Sequence, residues 1–479
     1  MTFQFSKKQR MTFQTASIFA GILFFAVVYI CNDMFGYNTD GIVLTGFFLF
    51  FIVLLCIDLT FVIKYFYLFY IVFFNLIGVY VVENTTIYLK ELRRYSSHAN
   101  SFLLITVIHW TFIISMYLFE NGFGKSLCQV MSKKETWIWR QKDISNKIIR
   151  LVGYIFLAAL AVLVLYVLQK HSAFDQGLDR FMYHKLFLQG FIGRINNILV
   201  YFVPVIVLLF ITKQTRLGML ILIVYVFYEY WIGNKFGVFM NTAYLLIPAV
   251  IELFKARKWS LRVFLYTFIC IIAVLVGMVF VANYKSYGTD VEGNVSYFEQ
   301  RIAQQGQMWW AVYFVEKGEK AHVDEFGEEV RNWFAFDESY KTRYDYGIYK
   351  MMRKVTPGNV VKSKLERGSR YSAATNASVY YYFKEPGVIV TAIIGAFIVC
   401  VFVNLYYGFL VGRNILGTLV IGQYFPLVFG LLGQADYDRF FSLSKGKYLL
   451  LILIWGLVFV KSSGNGEKNA NESIDVLAD

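Results

Sequence analysis

Only five cysteines occur in 479 residues, and none lies in the longest polar stretch, Asn283 to Pro386. Cys31, Cys56, Cys128, Cys270 and Cys400 fall in apolar segments or in a basic loop. The polar stretch therefore has no disulfide staples, and the chain has no CxxC pair or Cys/His metal spacing. Charge is also scarce. Asp, Glu, Lys and Arg make up 16% of the residues against 58% hydrophobic ones, which is not the balance of a soluble domain. No internal repeat of the kind that marks many transporters is evident. The first apolar run is too long for a secretory signal and lacks a small-residue cleavage site, so it is expected to remain as a helix.

What the chain has instead is a series of apolar, aromatic-rich runs joined by short connections. A bilayer crossing needs about 20 mostly apolar residues. Runs of that kind predict spans at 15–32, 41–62, 65–83, 101–119, 151–169, 195–212, 219–233, 237–254, 263–282, 387–412, 415–432 and 449–460. The expected fold is an all-α polytopic membrane protein of about twelve helices. Residues 1–282 would hold nine of them and 387–461 the last three. A medium outer loop lies at 170–194, a large helical outer domain at 283–386, and a polar, disordered tail at 462–479. One alternating set of short loops carries 20 Lys and Arg against 11 in the other. The richer set is assigned to the cytoplasm with both termini, which places 283–386 outside. Tyr230 to Gly237 reads as either a tight outer turn or a broken helix, since Gly233 and Gly237 permit geometry that a regular helix does not.

Charge within the outer domain is sorted. Glu316 to Glu338 holds eight acids, and Lys341 to Arg370 holds nine bases. A basic block beside a membrane suits anionic headgroups or a lipid-linked phosphate; it can equally be a solvated face paired with its acidic neighbour. Nucleic acid is a poor partner for the outer face of a membrane. The sharpest local pattern runs from Tyr297 to Tyr313. Helical spacing puts Arg301, Gln304, Gln305 and Met308 on one face and Phe298, Ile302, Trp309 and Tyr313 on another. An arginine can grip a pyrophosphate with two parallel hydrogen bonds, and glutamines can bond sugar hydroxyls. A plain amphipathic docking helix fits the same pattern.

Arg301-Ile-x-x-Gln-Gly-Gln-x-Trp-Trp310, in a large outer loop before the last few helices, resembles a motif of bacterial Wzy-type O-antigen polymerases. The layout of many helices with one medium and one large outer loop is similar to theirs, and such enzymes resemble metal-independent GT-C glycosyltransferases. The resemblance implies an inner-membrane enzyme of lipopolysaccharide biosynthesis. It would transfer a growing polysaccharide from undecaprenyl pyrophosphate onto a lipid-linked repeat unit at the periplasmic face. It implies no cofactor, and a chain-length regulator as a partner. An O-antigen ligase shares the layout, and a lipid-linked oligosaccharide flippase or transporter is the rival of a different class.

Arg301, His184 and Arg439 are the expected catalytic residues. Arg180, Arg194, Lys235, Gln304, Gln305 and Trp309 are the expected substrate contacts. Cations gathered at the leaving pyrophosphate would lower the barrier. His184 would take the acceptor's proton, with Glu299 and Asp436 as carboxylate alternatives. Arg180 is followed by Gly190 after nine residues, one short of the Arg-x10-Gly spacing found in loops of such polymerases. No acidic pair with ligand spacing faces outward, so no metal is expected. Glu229, inside an apolar run, calls for a partner. His109 reads as a satisfied packing histidine, and Asp58 as an interfacial residue near Lys64.

Overall fold

A computed structural model describes residues 7–35, 38–133, 142–178, 180–234, 291–334, 344–366, 369–372, 374–435 and 437–441. It also describes isolated positions at 242, 244–248, 273, 277, 446 and 450. The described elements begin with α1 (Lys7–Phe35), α2 (Asp40–Ile57), α3 (Leu59–Lys64) and α4 (Phe66–Asn84). A short antiparallel hairpin follows, β1 (Tyr88–Leu89) with β2 (Arg94–Tyr95), and is an exception to the all-α expectation. Then come α5 (Phe102–Phe119), a π turn at Glu120–Gly124, α6 (Lys125–Lys133), α7 (Lys142–Leu168), α8 (Arg180–Phe187), α9 (Gly190–Leu199), α10 (Val203–Ile211) and α11 (Thr215–Trp231). After residue 290 lie α12 (Val291–Glu316), α13 (Val323–Trp333), α14 (Gly347–Val355), α15 (Gly358–Glu366), α16 (Ala374–Val411), α17 (Ile415–Gln434) and α18 (Tyr437–Phe441).

Among the described residues, six stretches are helical, long and apolar enough to cross a membrane: Asp40–Ile57, Phe66–Asn84, Phe102–Ser132, Asn146–Leu168, Ala374–Val411 and Ile415–Gly433. Gly190–Leu199 and Val203–Ile211, bent by 40°, add a seventh if they form one span. The chain is thus an α-helical protein built around apolar helices of membrane-spanning length. The expected span 219–233 falls on α11, and 15–32 contains the apolar run Ile18–Cys31. Those at 237–254, 263–282 and 449–460, and the tail, lie almost wholly outside the described residues.

Polar residues decide where the helices stop. The run expected to continue to residue 62 breaks at Asp58, whose carboxylate caps α3 by accepting the Phe61 N–H at 2.9 Å. Asp58 therefore serves the backbone, and Lys64 has a different partner. Lys64 is 8% exposed, its ammonium lies 2.6 Å from Glu120, and the Tyr65 hydroxyl donates to the same carboxylate at 2.7 Å. Lys64 is not a solvated loop cation, so the richer loop set loses one charge and keeps its excess. At the end of α11, Gly233 at φ 88° closes a Schellman motif: its N–H reaches Tyr230 and the Asn234 N–H reaches Glu229, both at 3.0 Å. The helix ends there in a tight turn; Gly237 lies outside the described residues.

The chain folds as two compact units. The first gathers residues 1–122, 299–400 and 427–446. Most of the polar stretch 283–386 therefore belongs with apolar helices. What ties it there is a crossing of two glycines. A Cβ at Gly306 of α12 would lie 2.2 Å from the Val79 N of α4, and one at Gly78 would lie 2.6 Å from the Ile302 carbonyl. Beside this crossing, Asn75 donates to the Gln305 carbonyl at 2.6 Å. That leaves the Asn75 Oδ1 to accept from His109 Nε2, also at 2.6 Å. His109 is a packing histidine, as expected. The second unit gathers residues 123–298, 401–426 and 447–479, with α7, α9, α10 and α11 packed on one another.

α16 begins in the polar stretch and runs on into the apolar one as two helical segments joined at Lys384, close to Pro386, where the sequence placed a boundary. The boundary survives as a kink. Lys384 has φ 55° and ψ −152°, two residues before Pro386. A proline supplies no N–H and crowds the preceding turn. A non-glycine residue in that region costs on the order of 1–3 kcal/mol and persists only where the surroundings enforce it.

Candidate functional site

The residues of the family-like motif divide into an exposed beginning and a buried end. Arg301 is exposed, and its guanidinium donates to Gln304 at 3.0 Å. Gln305 donates from its side chain to the Arg301 carbonyl at 3.3 Å. From Gly306 onward the helix turns inward, so Met308 is fully buried rather than sharing the face of Arg301. Gln307 donates to Glu91 in the β1–β2 hairpin. Trp309, expected to touch substrate, is 0% exposed, and its N–H donates to the Ser101 carbonyl at 3.2 Å. Its neighbour Trp310 donates to the Ser97 carbonyl at 2.7 Å and carries the Arg94 guanidinium 4.7 Å above its ring. Both indoles serve packing. Each contributes about 1.5–3 kcal/mol of burial or more, as large core side chains do.

Of the other expected site residues, Arg180, His184 and Arg194 belong to the second unit. Arg180 is exposed on α8 and donates to Asn234 at 3.4 Å. Asn234 in turn donates to the buried Glu229 at 2.6 Å, which gives that carboxylate its partner. His184 is half-buried on the same short helix, and burial together with the nearby Arg180 charge lowers its pKa. Arg194 is exposed on α9. Arg439 falls on α18 with its side chain outside the described residues, and Lys235 and Asp436 also fall outside them. Glu299 is exposed on α12. The structure thus brings Arg301, Gln304 and Gln305 together, and separately Arg180 and His184.

The first unit also holds a cleft that the sequence did not single out as a site. Lys350, Arg353, Lys354, Tyr344, Tyr381 and Glu325 line a space of about 540 Å³. α14 places the cations: Lys350, Arg353 and Lys354 recur at helical spacing, while Met351 and Met352 are buried. Lys350 pairs with Glu325, and Arg353 pairs with Asp345 at 2.9 Å and lies 4.7 Å from the Tyr344 ring. Lys354 sits 4.3 Å from the Tyr381 ring, and His322 stacks on that ring at 4.1 Å. The two ring nitrogens of His322 face Glu316 at 3.2 Å and Glu325 at 3.4 Å. Glu316 is 4% exposed and also takes Lys384 at 3.3 Å and Lys354 at 3.9 Å. The strained Lys384 is thus held by a buried carboxylate, which supplies the enforcement that its backbone requires.

The electrostatics of the cleft follow from these contacts. Burial pushes the Glu325 carboxyl up, but hydrogen bonds from Lys350 and Tyr381 and the charges of Lys350 and His322 outweigh it. The carboxyl is held below its usual range and is ionised at neutral pH. The acidic and basic blocks do pair, as one of the two sequence readings had it. They still leave Lys350, Arg353 and Lys354 around one open space with aromatic walls. Such a lining can hold an anion with charge-assisted hydrogen bonds and stack a sugar face on tyrosine. The signal available in the sequence was slight. His322 is the single histidine of the polar stretch and sits inside its acidic block, and Tyr380, Tyr381 and Tyr382 are consecutive.

A family model described only as a family of unknown function (DUF6418) matches residues 341–452. The matched segment carries Tyr344, Lys350, Arg353, Lys354 and Tyr381 of the cleft, along with Lys384. No curated protein and no solved structure matches the chain.

Proposed function

We propose that this chain is a membrane glycosyltransferase of the O-antigen polymerase type. It transfers a growing polysaccharide from undecaprenyl pyrophosphate to a lipid-linked repeat unit at the periplasmic face of the inner membrane. The observation that supports the reading best is the cleft. Three cations, two tyrosine rings and an ionised carboxylate share one space, in the unit that also holds the Arg301 helix. In the reaction, the acceptor hydroxyl oxygen bonds to the anomeric carbon while the bond from that carbon to the pyrophosphate oxygen breaks. The hydroxyl proton passes to a base, for which Glu325 is the carboxylate at hand in the cleft. The departing pyrophosphate is an anion, and Lys350, Arg353 and Lys354 would stabilise its charge as it develops, with Arg301 the further cation indicated by the motif.

Lipopolysaccharide gels of a strain lacking this gene test the reading. A polymerase mutant loses the ladder and keeps a single repeat unit on the core. Complete loss of O-antigen, with material left on undecaprenyl pyrophosphate, would indicate a ligase. Accumulation inside the cytoplasm would indicate a flippase. A Lys350→Ala/Lys354→Ala variant that restored a full ladder at normal protein level would remove the cleft from the mechanism.

A further inference from the structure

The first unit has a second polar cavity, of about 340 Å³, where the β1–β2 hairpin meets α15. Its walls are Arg93, Asn359, Ser363, Lys364 and Ser369, with Val360 as the apolar contribution. α15 serves both cavities, giving Gly358 to the cleft and Asn359, Ser363 and Lys364 to this one. Arg93 is exposed at the hairpin turn with φ 54°, a left-handed conformation that an arginine rarely takes. Lys364 pairs with Glu91 and lies 5.3 Å from the Tyr371 ring. An ammonium has three donors, so one carboxylate contact leaves capacity for another acceptor. Glu91 is shared, since Gln307 of α12 donates to it as well. The carboxylate anchors the lysine from behind, while Arg93 adds a cation at the rim.

Two cations, two hydroxyls and an amide around a space of this size suit a small anion rich in oxygen, and ligand pockets commonly begin near 300 Å³. The place of the hairpin narrows the source. It leaves α4 at Asn84 and re-enters an apolar helix at Phe102, both members of span-length helices. Arg93 is therefore within a short loop of the headgroup layer, where anionic groups are concentrated. We propose that this cavity is a second phosphoryl-anion site, separate from the Lys350–Arg353–Lys354 cleft. Its occupant is a phosphate-bearing group, delivered by a membrane lipid headgroup or by a soluble diphosphate. The proposal does not rest on glycosyl transfer.

The experiment uses the full-length protein in neutral detergent, with the cleft silenced by Lys350→Ala/Arg353→Ala, and titrates inorganic pyrophosphate by calorimetry. Pyrophosphate should still bind to this variant. Adding Arg93→Gly should weaken binding about tenfold, the loss of one charge-assisted contact. Glycine takes φ 54° without strain, so this substitution removes the charge and spares the turn; an unchanged melting curve checks that. Ser363→Ala should give a smaller loss, and Arg93→Lys should retain most of the affinity. Micelles doped with phosphatidylglycerol distinguish the sources. Displacement of pyrophosphate by the lipid identifies a headgroup site, and pyrophosphate binding that the lipid leaves untouched identifies a diphosphate site. The proposal is overturned if the cleft-silenced protein binds neither probe, or if Arg93→Gly changes neither affinity by more than about twofold.

Discussion

Replacing Gly306 by alanine tests how the polar stretch is attached to the apolar helices. The new methyl would meet the Val79 N at 2.2 Å, the Gly78 carbonyl carbon at 2.4 Å and the Val79 α-carbon at 2.6 Å. All three are backbone atoms, so no side chain can rotate away. Ordinary contact begins near 3.4 Å, and α12 and α4 would have to part by roughly 1 Å. Overpacking of this kind costs about 1–3 kcal/mol. The parting also stretches the 2.6 Å bond from Asn75 to the Gln305 carbonyl, and behind it the bond from His109. A weakened buried hydrogen bond adds on the order of 1 kcal/mol. The expected total is about 2–4 kcal/mol, against which the helix-propensity gain of alanine over glycine, about 1 kcal/mol, is small. Thermal unfolding in detergent, followed by tryptophan fluorescence, measures it, since Trp309 and Trp310 lie on the same helix. Gly327→Ala is the control: nothing lies within 4 Å of a Cβ there, so it should be neutral or mildly stabilising. Equal melting of the two variants would refute the glycine crossing.

Three further outcomes are expected. Arg301→Ala should abolish polymer at normal protein level, and Arg301→Lys should restore only part because a lysine lacks the planar fork; full activity of the alanine variant would reduce Arg301 to a surface residue. Glu325 has a folded-state pKa below its ordinary 4.5, so its pairing adds stability above that pH and the contribution is lost as pH falls through the folded value. The melting difference between wild type and Glu325→Gln should therefore be largest near neutrality and shrink as pH drops below about 4.5; a difference that grows on acidification would contradict the pairing. Lys320→Cys, at an exposed position between α12 and α13, should react with an impermeant maleimide in intact cells of a cysteine-free strain. Protection there would place the cleft on the cytoplasmic side.

Helix existence was legible because apolar length is a property of composition, and the apolar runs needed no partner to be recognised. What decided their ends was less visible. Asp58 looks like an interfacial charge until its carboxylate is seen on the Phe61 N–H, and Lys64 looks like a loop cation until Glu120, 56 residues away, is found beside it. Periodicity placed Arg301 and Met308 on one face, but the face of α12 changes character at Gly306, because the packing partner comes from α4. The same limit hid the cleft. Lys350, Arg353 and Lys354 were visible as a basic run, whereas His322, Glu325 and Tyr381 join them only through tertiary packing. Reading the acidic and basic blocks as a sorted pair was sound; which members would remain around an open space was not encoded in their spacing.

The glycine crossing bears on how this protein can be handled at the bench. A fragment cut to contain only the polar stretch would carry Met308, Trp309 and Trp310 away from the residues that cover them. It would also leave Gln307 without Glu91, and the two indole N–H groups without their carbonyls at Ser97 and Ser101. Such a fragment would present a wide apolar face to water and aggregate. For the same reason, exchanging this loop between related chains would succeed only if the α4–α5 hairpin and the glycine of α4 travelled with it.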